Sequence, residues 1–383
     1  MKILFIAHDS LKGGSGRCLF ELVSLLAQRT EITPIVLTHK KNDINEALDD
    51  LGIENYSSKY GFTCSWTENI FFTFLKRLLY RPFFNWYSFR KLKKKIDFNT
   101  IDLIQSNSGV IDFGAYLHKK LHIPHVWHIR EFGGLHFKWR YVIDNFPSYL
   151  YANASQVICV SNAVRDYYIE QGIKEHKIKT IYDGVLKRDY IFSTPIEHDK
   201  NIIRICMCGI LTDSKGQHLA IEALKKLKRD ELKKIHLDFF GEGPDLQKLK
   251  DLVKYLDLVP YVSFKGFSKN IKSELLNYDI GLNLTRAEGF GRTTVEFMLS
   301  GLYVIAHNTG ASPELLNYGK YGTLIPPNDT DQLSKEISNY IANPSKYKQL
   351  QKDARSFALS NFTLESNIDK FIAQFSSISK EKK

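Results

Sequence analysis

The chain has 383 residues, too many for one ordinary hydrophobic core and enough for two domains of similar size. Hydrophobic residues make up 43% and charged residues 25%, a balance that excludes a disordered or fibrous chain. The net charge of +11 indicates an anionic partner, which could be nucleotide phosphate, anionic lipid or nucleic acid.

No segment reaches the roughly 18 to 20 uninterrupted apolar residues of a membrane-spanning helix. The opening run 1–8 is too short for the apolar core of a signal peptide, so we expect a cytoplasmic protein. The five cysteines include no CxxC pair, which predicts reduced, buried thiols and neither a metal site nor disulfides.

Short apolar runs alternate with helical patterns, which favours an α/β fold with parallel sheets and crossover helices. The first run leads through a glycine-rich turn into the helical stretch Cys18–Gln28. Each run is hydrophobic on both faces, as a sheet covered by helices requires. In the first half the predicted strands are Ile3–Ala7, Ile35–Thr38, Leu103–Ser106, Val126–Ile129 and Gln156–Val160.

A polar stretch without periodicity, residues 186–201, is the predicted interdomain linker and precedes a second strand–turn–helix series. We therefore predict two Rossmann-like domains, at residues 1–190 and 200–355. The final helical stretch, from Ser345 to about Ile378, ends in a helix at about 356–383 that we expect to pack back on the first domain. The predicted strands of the second half are Ile202–Gly209, His236–Phe240, Val262–Phe264, Ile280–Leu284 and Leu302–Ala306.

The strongest chemical signal lies between the strand at Ile280–Leu284 and a helix predicted to begin near Thr293. Glu288 falls on the loop at the carboxyl end of the strand, and Glu296 falls in the first turns of the helix. The intervening glycines permit close backbone approach, and the N–H groups at the start of the helix can bind a diphosphate. The two carboxylates are then placed to hold sugar hydroxyls.

A purely structural interpretation of the same residues is available. Thr293-x-x-Glu296 has the form of a capping box, which would serve only to start the helix. Glu288-Gly289 could equally be an ordinary surface turn.

Glu288-x7-Glu296, with Gly289-Phe290-Gly291 inside it, resembles the signature of glycosyltransferase family 4, the retaining GT-B enzymes. The resemblance extends over nearly the whole chain and is densest from Ile203 to about Asp329. Further matching segments are Gly301, the run Leu302–Ala306, Asn308-Thr309-Gly310-x-x-Pro313-Glu314 and Gly322-x-Leu324-Ile325.

The resemblance implies a GT-B fold, in which two Rossmann-like domains face each other across a cleft. In the family the first glutamate contacts the transferred sugar and the second binds the nucleotide ribose, which assigns these roles to Glu288 and Glu296. Backbone amides near Phe290, Gly291 and Thr294 are implied to hold sugar and phosphate.

A lysine-containing turn, Gly209 to Gln217, follows one predicted strand and precedes the helix Leu219–Leu227. Lys215 on this turn could be a solvated loop lysine, or could place a compact positive charge against a diphosphate. The turn resembles the family's phosphate-binding Lys-Gly turn, which implies the second role. It departs from the family at Ile210, where an arginine is common, so Arg286 or Arg292 are candidates for the missing phosphate contact.

The glycine-rich turn Leu11–Arg17 is weak evidence by itself, since a tight strand-to-helix turn needs the same residues. In the family this loop faces the cleft, which implies that Gly14 and Gly16 border the sugar and the acceptor. The implied donor-binding residues are therefore Gly14, Gly16, Lys215, Gly289, Phe290, Gly291, Thr294 and Glu296.

A histidine at the carboxyl end of a predicted strand, His128, is grouped with Arg130 and Glu131. A lone histidine is more often structural than catalytic. His128 nevertheless resembles the family's active-site histidine, which contacts the donor sugar, and Arg130 is a candidate phosphate or acceptor contact. His125 is a competitor, but it stands at the beginning of the strand.

The segment 70–95 contains eight basic residues, no acidic residue and many aromatic ones. This composition suits the headgroup layer of an anionic membrane, although single-stranded nucleic acid would also fit it. The alternative is that the aromatic side chains are core and the charges form a solvated helix face.

The family resemblance implies a retaining, metal-independent transferase that needs no cofactor. No Asp-x-Asp motif stands where a metal-dependent transferase would need one. We expect a UDP-sugar donor, with GDP-mannose as an alternative, and a glycan or lipid-linked acceptor in the synthesis of a surface polysaccharide. We expect no nucleic-acid partner and a location in the cytoplasm, with peripheral contact to the inner face of the membrane. The alternatives are a non-catalytic GT-B partner of another glycosyltransferase and a sugar-nucleotide epimerase.

Overall fold

The computed structural model describes residues 1–65, 69–135, 140–191 and 202–380. Most of the predicted linker, residues 192–201, lies outside the described residues, and so does the end of the predicted C-terminal helix, residues 381–383. The chain divides into two compact domains. The first comprises residues 1–183 and 364–383, and the second comprises residues 184–363. The sequence-based limits at 190, 200 and 355 stay a prediction.

The strands are short and follow one another at regular intervals through both domains. In chain order they are β1 (Lys2–Ala7), β2 (Thr33–Thr38), β3 (Asn55–Ser57), β4 (Cys64–Ser65), β5 (Leu103–Ser106), β6 (His125–Ile129), β7 (Arg140–Tyr141), β8 (Gln156–Cys159), β9 (Ile178–Thr180), β10 (Ile203–Cys208), β11 (Ile235–Phe240), β12 (Val262–Gly266), β13 (Ile280–Asn283), β14 (Tyr303–His307) and β15 (Thr323–Ile325).

Helices connect most of these strands, as parallel pairing requires. In chain order they are α1 (Gly14–Leu26), α2 (Asp43–Asp50), α3 (Ile70–Leu75), α4 (Arg81–Leu92), α5 (Phe113–Leu121), α6 (Phe146–Asn153), α7 (Asn162–Glu170), α8 (Arg188–Ile191), α9 (Gln217–Lys225), α10 (Arg229–Leu232), α11 (Leu246–Tyr255), α12 (Ile271–Leu275), α13 (Arg292–Leu299), α14 (Ser312–Leu315), α15 (Thr330–Ala342), α16 (Lys348–Asn361) and α17 (Leu364–Lys380).

The first domain is built on a seven-stranded parallel sheet in the order β3-β2-β1-β5-β6-β8-β9. Its central strand β1 is buried throughout residues 3–7, because helices cover both faces of the sheet. The strand order changes direction beside β1, which pairs with β2 on one side and with β5 on the other. In open α/β sheets, ligands bind at the carboxyl ends of the strands that flank such a switch point.

The second domain repeats this arrangement with a six-stranded parallel sheet in the order β12-β11-β10-β13-β14-β15. Here β10 is the strand at the switch point, between β11 and β13. The core of this domain is formed by buried aliphatic and aromatic side chains of the strands and of helices such as α9, α11 and α15. The predicted α/β class with two parallel-sheet domains is confirmed, and every strand predicted from an apolar run is present.

The final helical stretch predicted from Ser345 is two helices rather than one. Helix α16 ends before Phe362. The carbonyl oxygen of Phe362 accepts a hydrogen bond of 3.2 Å from the backbone N–H of Val185, and Thr363 forms an isolated parallel β-bridge with Val185. Helix α17 then packs on the first domain, where the ring of Phe375 lies 6.2 Å from that of Phe5. In the described part of the chain, no helix combines the length and the apolar character needed to cross a bilayer.

Candidate functional site

In the second domain, the loop between β13 and α13 carries both predicted glutamates. Helix α13 begins at Arg292, and its N-cap is Gly291 in the left-handed conformation at φ 95°. No side chain caps this end, so the capping box inferred from Thr293 and Glu296 does not form. A helix start without a side-chain cap is a type of site at which backbone N–H groups bind anions.

The two predicted motifs of this domain lie against each other, although they are far apart in the chain. Lys215 Nζ donates to Glu288 Oε2 at 3.3 Å. The turn that carries Lys215 ends at Gly216, where a Cβ atom would meet the carbonyl oxygen of Leu284 at 2.5 Å. The backbone N–H of Arg286 donates to Ser214 O at 3.1 Å. The ends of β10 and β13 therefore form one loop cluster with Lys215 and Glu288 in contact.

The segment after β14 holds the Glu288 backbone in place. The N–H of Ala311 donates to Glu288 O at 2.9 Å, and a Cβ atom at Gly310 would meet the same oxygen at 2.3 Å. The hydroxyl of Thr309 donates to Thr285 O at 3.0 Å. This part of the sequence resemblance, Asn308 to Glu314, thus has a structural reason: it positions the glutamate loop.

The other predicted donor-binding residues of this domain are largely buried around the start of α13. Thr294 Oγ1 accepts from Asn283 Nδ2 at 2.8 Å, so its side chain is engaged inside the domain. Gly289 and Glu296 are buried, and the ring of Phe290 packs 6.0 Å from that of Phe362. What Thr294 and Phe290 present to a ligand is accordingly backbone rather than side chain.

The two candidate substitutes for the missing family arginine differ in their surroundings. Ile210 itself is exposed just beyond the carboxyl end of β10. Arg286 is exposed and forms an ion pair of 3.3 Å with Asp213, on the same turn as Lys215. Arg292 donates to the carbonyl oxygen of Gly184 at 3.2 Å. Arg286 is therefore the guanidinium that lies with the lysine turn.

In the first domain, the glycine-rich turn after β1 opens helix α1. A Cβ atom at Gly16 would meet Ser10 O at 2.2 Å, so this position has room only for glycine, whereas a Cβ atom at Gly14 would have no neighbour within 4 Å. The hydroxyl of Ser15 donates to Asp9 Oδ2 at 2.9 Å. The turn is thus fixed by its own short contacts and leaves open space beside Gly14.

His128 lies near the end of β6 and is fully buried. Gln105 Nε2 and an Arg130 guanidinium nitrogen lie 3.3 Å and 3.5 Å from its Nδ1 atom, and both groups donate. Nδ1 is therefore the acceptor, and the proton of the neutral ring is on Nε2, which has no partner among the described residues. Burial lowers the pKa of His128 to about 3, and the positive charge of Arg130 adds to this, so the ring is neutral near pH 7.

Arg130 connects three segments around the histidine. Its Nε donates to Asn107 Oδ1 at 2.9 Å, and its NH1 group forms a buried ion pair with Asp183. Asn107 Nδ2 in turn donates to Ser15 O at 2.9 Å, which ties the glycine-rich turn to the same network. Burial by itself lowers the pKa of the Arg130 guanidinium, but the charge and hydrogen bond of Asp183 together with the nearby Cys18 and Glu131 outweigh it and keep that pKa above its ordinary value.

Glu131 and His125, two titratable residues close to His128 in the sequence, form hydrogen bonds within the fold. Glu131 is buried and accepts from Ser108 Oγ at 2.8 Å and from Gly109 N at 2.7 Å, and burial raises its pKa. His125 begins strand β6, with its ring nitrogens 2.7 Å from Asn153 O and 2.9 Å from a buried serine hydroxyl. These contacts join loops of the fold and place His125 at the opposite end of the strand from Arg130.

The sequence did not single out Gln105, Asn107 and Asp183, which complete the network around His128. A local signal existed for Asn107, because it directly follows a predicted strand at the edge of the sheet where ligands bind. Asp183 stands just before the predicted interdomain linker, residues 186–201, and nothing in its neighbours indicates an arginine partner.

Comparisons with known proteins agree with this architecture. The first domain matches the family model described as Glycosyltransferase Family 4 over residues 12–186, and the second matches Glycosyl transferases group 1 over residues 187–357. An uncharacterized glycosyltransferase of Methanocaldococcus jannaschii is 26% identical over 309 residues, 76% of each chain. The putative colanic acid biosynthesis glycosyltransferase WcaL of Escherichia coli is 26% identical, over 55% of this chain and 54% of its own.

Among solved structures, Anabaena HepE in complex with UDP and glucose superposes with a TM-score of 0.80 at 22% identity, covering 98% of this chain and all of the other. Two parallel-sheet domains, each with a loop cluster at its switch point, define the class as α/β proteins of the GT-B fold. With both domains matched by adjoining family models, the chain belongs to glycosyltransferase family 4.

Proposed function

We propose that this protein is a retaining, metal-independent glycosyltransferase that takes a sugar from a nucleotide diphosphate donor, with a UDP-sugar as the donor class. The observation that carries the proposal is the contact of Lys215 with Glu288, at 3.3 Å, beside the uncapped start of helix α13. A cation and the backbone N–H groups of a helix start suit a diphosphate, and a carboxylate beside them suits sugar hydroxyls.

Each residue has a proposed role in this reaction. Glu288 binds the transferred sugar, and Glu296 binds the ribose of the nucleotide. Lys215 and the backbone amides from Gly289 to Thr294 bind the diphosphate, with Arg286 in the place of the family arginine that Ile210 lacks. In the first domain, the Nε2–H of His128 donates a hydrogen bond to the sugar, and the space beside Gly14 admits the sugar or the acceptor.

Metal independence follows from how the leaving group would be stabilised. Negative charge develops on the diphosphate as the glycosidic bond to the nucleotide breaks, and fixed donors aimed at that charge lower the barrier. Lys215 and the N-terminus of α13 can supply them. The chain's Asp329-Thr330-Asp331 is engaged in structure instead, since Asp329 caps helix α15 and Asp331 forms an ion pair of 2.8 Å with Lys226.

The retaining outcome leaves two routes for the acceptor, attack from the face of the departing diphosphate or capture of a short-lived ion pair. In either route the acceptor hydroxyl loses its proton as the new glycosidic bond forms, and the diphosphate can accept it. We name no enzymatic nucleophile.

For the acceptor we propose a glycan or a lipid-linked saccharide in surface polysaccharide synthesis, at the inner face of the membrane. The similarity to WcaL, whose name refers to colanic acid biosynthesis, supports this pathway class. The complex of HepE with UDP and glucose supports the choice of a UDP-sugar donor.

A second candidate function, a non-catalytic partner of another glycosyltransferase, is favoured by one observation. Ile210 is an exposed apolar side chain beside the lysine turn, at the position where the family commonly has a phosphate-binding arginine. Such a protein would bind nucleotide without turnover, whereas an epimerase would convert a nucleotide sugar with no acceptor present.

The first test is a thermal-shift screen against UDP, GDP, ADP, CMP and dTDP, each with and without magnesium. A ligand at about 100 times its dissociation constant adds roughly 2.7 kcal/mol to the free energy of unfolding, so the shift is easily measured. We expect a magnesium-independent response to UDP. Glu296→Gln should abolish it, and the exposed Glu46→Gln should not.

Donor hydrolysis and transfer are then measured with UDP-sugars. We expect Glu288→Gln to lower turnover about 10²- to 10³-fold while the melting temperature without ligand stays within error. A response to no nucleotide would refute the proposal, and binding of UDP without turnover of any UDP-sugar would favour the non-catalytic partner.

A further inference from the structure

The helical segment from α3 through α4 has most of its apolar side chains on the outside. A π-helical turn, Lys76–Tyr80, joins the two helices without a break. Nine of the sixteen exposed large hydrophobic side chains of the described residues lie in this segment, each 43% to 65% exposed. They are Phe71, Phe72, Phe74, Leu78, Leu79, Tyr80, Phe83, Trp86 and Tyr87. The alternative that the aromatic residues are core is therefore wrong for these exposed rings, whereas Phe89 is half-buried and packs against the core of the first domain.

Two of the three buried residues of α4 are polar, whereas a surface helix ordinarily buries apolar residues. The buried residues of α4 are Asn85, Ser88 and Leu92. Asn85 Nδ2 donates to the buried carboxylate of Asp112 at 2.6 Å, and Asn85 Oδ1 accepts from Gly61 N at 2.8 Å. These hydrogen bonds fix the rotation of the helix about its axis and hold the opposite, aromatic face toward solvent.

The outward rings pack against one another. Phe83 lies 6.3 Å from both Trp86 and Tyr87, centroid to centroid, and the guanidinium of Arg90 lies 5.5 Å over the Trp86 ring. Residues 71–80 have no buried side chain, and only residues 73 and 75–77 are half-buried. An apolar patch of this extent marks an interaction site rather than ordinary surface.

Positive charge borders the aromatic rings. Lys91 and residues 93–95 are all exposed, Arg90 lies beside them, and within the described residues none of these cations forms an ion pair with a carboxylate. The segment 70–95 contains no acidic residue. Aromatic rings beside a cluster of such cations match the interface of a bilayer, where rings lie at the headgroup level and cations meet anionic lipid.

We propose that this aromatic-basic surface, residues 71–95, binds the surface of an anionic lipid bilayer. The aromatic residues of α3 and α4 insert among the headgroups, and the cations at the end of α4 contact anionic lipid. The charge pattern selects a membrane over a second copy of this chain, because two copies would bring their positive clusters together. The proposal does not rest on transferase activity, and its test needs no nucleotide sugar.

The test is co-sedimentation of the full-length protein with vesicles of phosphatidylcholine alone, and of phosphatidylcholine mixed with an equal amount of phosphatidylglycerol. We expect partition into the anionic vesicles only. Lys93→Gln/Lys94→Gln/Lys95→Gln should weaken it roughly a hundredfold, since each cation near an anionic surface contributes about 1 kcal/mol. The matched control is three exposed lysines of the second domain, replaced as Lys234→Gln/Lys250→Gln/Lys254→Gln.

An aromatic variant, Phe83→Gln/Trp86→Gln/Tyr87→Gln, should weaken partition at least about tenfold. Its control replaces exposed apolar side chains elsewhere, as Tyr255→Gln/Val259→Gln/Phe267→Gln. Raising the salt to about 1 M shortens the screening length to about 3 Å and should release the protein from anionic vesicles. An unchanged melting temperature shows that each variant is folded.

Several results would overturn the proposal. They are no partition, equal partition into neutral and anionic vesicles, or charge and aromatic variants that behave like their controls. A lipid-free dimer that the aromatic variant converts to monomer would assign the surface to a second copy. Tighter binding to a single-stranded oligonucleotide than to anionic vesicles would assign it to nucleic acid.

Discussion

Each domain has a charged pair at the carboxyl edge of its sheet, and the two pairs lie in opposite environments. The side chains of Arg130 and Asp183, in the first domain, are 8% and 6% exposed. Those of Lys215 and Glu288, in the second, are 27% and 13% exposed. A buried charge that loses its partner is left without solvent, whereas a partly exposed charge is rehydrated.

The comparison indicates that the first pair is framework and the second is available to ligand. Arg130 already donates to Asn107 and Asp183, so its contacts are directed at the protein itself. Lys215 has a carboxylate partner at 3.3 Å and an accessible position beside the start of α13, so an arriving diphosphate can share or replace that partner. Substitutions should therefore affect stability in the first domain and ligand binding in the second.

Two double-mutant cycles, one for Arg130 with Asp183 and one for Lys215 with Glu288, test this contrast most strongly. Arg130→Met strands the buried Asp183 carboxylate and should lower the free energy of unfolding by about 3 to 5 kcal/mol. Lys215→Met should change it by no more than about 1 kcal/mol. Both cycles are completed with Asp183→Asn and Glu288→Gln and followed by calorimetric unfolding. Similar losses in the two cycles would contradict the division into framework and ligand-binding pairs.

A smaller effect is expected at the glycine-rich turn, which Asn107 connects to Arg130. A Cβ atom at Gly16 would meet the backbone of Ser10 at 2.2 Å, so Gly16→Ala must shift the turn and should cost about 1 to 3 kcal/mol. Gly14 is the matched control, since a Cβ atom there has no neighbour within 4 Å. Gly14→Ala should leave stability unchanged or raise it by up to about 1 kcal/mol, because alanine favours the helix.

Thermal unfolding of the two single variants measures this difference directly. Equal melting temperatures for Gly16→Ala and Gly14→Ala would show that the close approach of the Ser10 backbone does not restrict position 16 to glycine. If Gly14→Ala retains stability but loses sugar transfer, the open space beside Gly14 belongs to the substrate.

The sheets were predictable from the sequence because their central strands are buried on both faces and so appear as apolar runs. The strands that were not predicted are short and mostly at edges, such as Asn55–Ser57, which is half-buried throughout, and Thr323–Ile325, which is buried only at Ile325. Three residues of which one at most is buried form no apolar run. Their identity as strands depends on hydrogen bonds to a neighbouring strand, which the local sequence does not specify.

The candidate site also contains both residues that the sequence could indicate and contacts that only the tertiary structure brings about. Gly291 was recognisable because a turn that leads into a helix start favours glycine, whereas Lys215 was singled out by the resemblance of its turn to the family's Lys-Gly turn. The contact of Lys215 with Glu288 joins residues 73 positions apart and results from β10 and β13 being neighbours in the sheet. Asn107 and Asp183 are similar cases, because their partner Arg130 is fixed only by tertiary structure.

The smallest expected effect is a pH dependence that separates the two domains. Among the described residues, burial lowers the pKa of four histidines in the first domain but of one in the second. The pKa of His125 is lowered to about 3 by burial, against about 6.5 in an unfolded chain. Between these values the unfolded chain binds more protons than the folded one, so the free energy of unfolding falls as the pH falls.

From pH 7 to pH 6, one such histidine should remove about 0.7 kcal/mol. His125→Gln cannot take up the proton and should lessen the fall by that amount. His176→Gln, at an exposed position, is the matched control for the loss of an imidazole. Calorimetric unfolding at the two pH values measures each difference. Because the first domain has more of these histidines, acid should lower its transition first, and a second domain that unfolds earlier would contradict the assignment of the buried framework to the first.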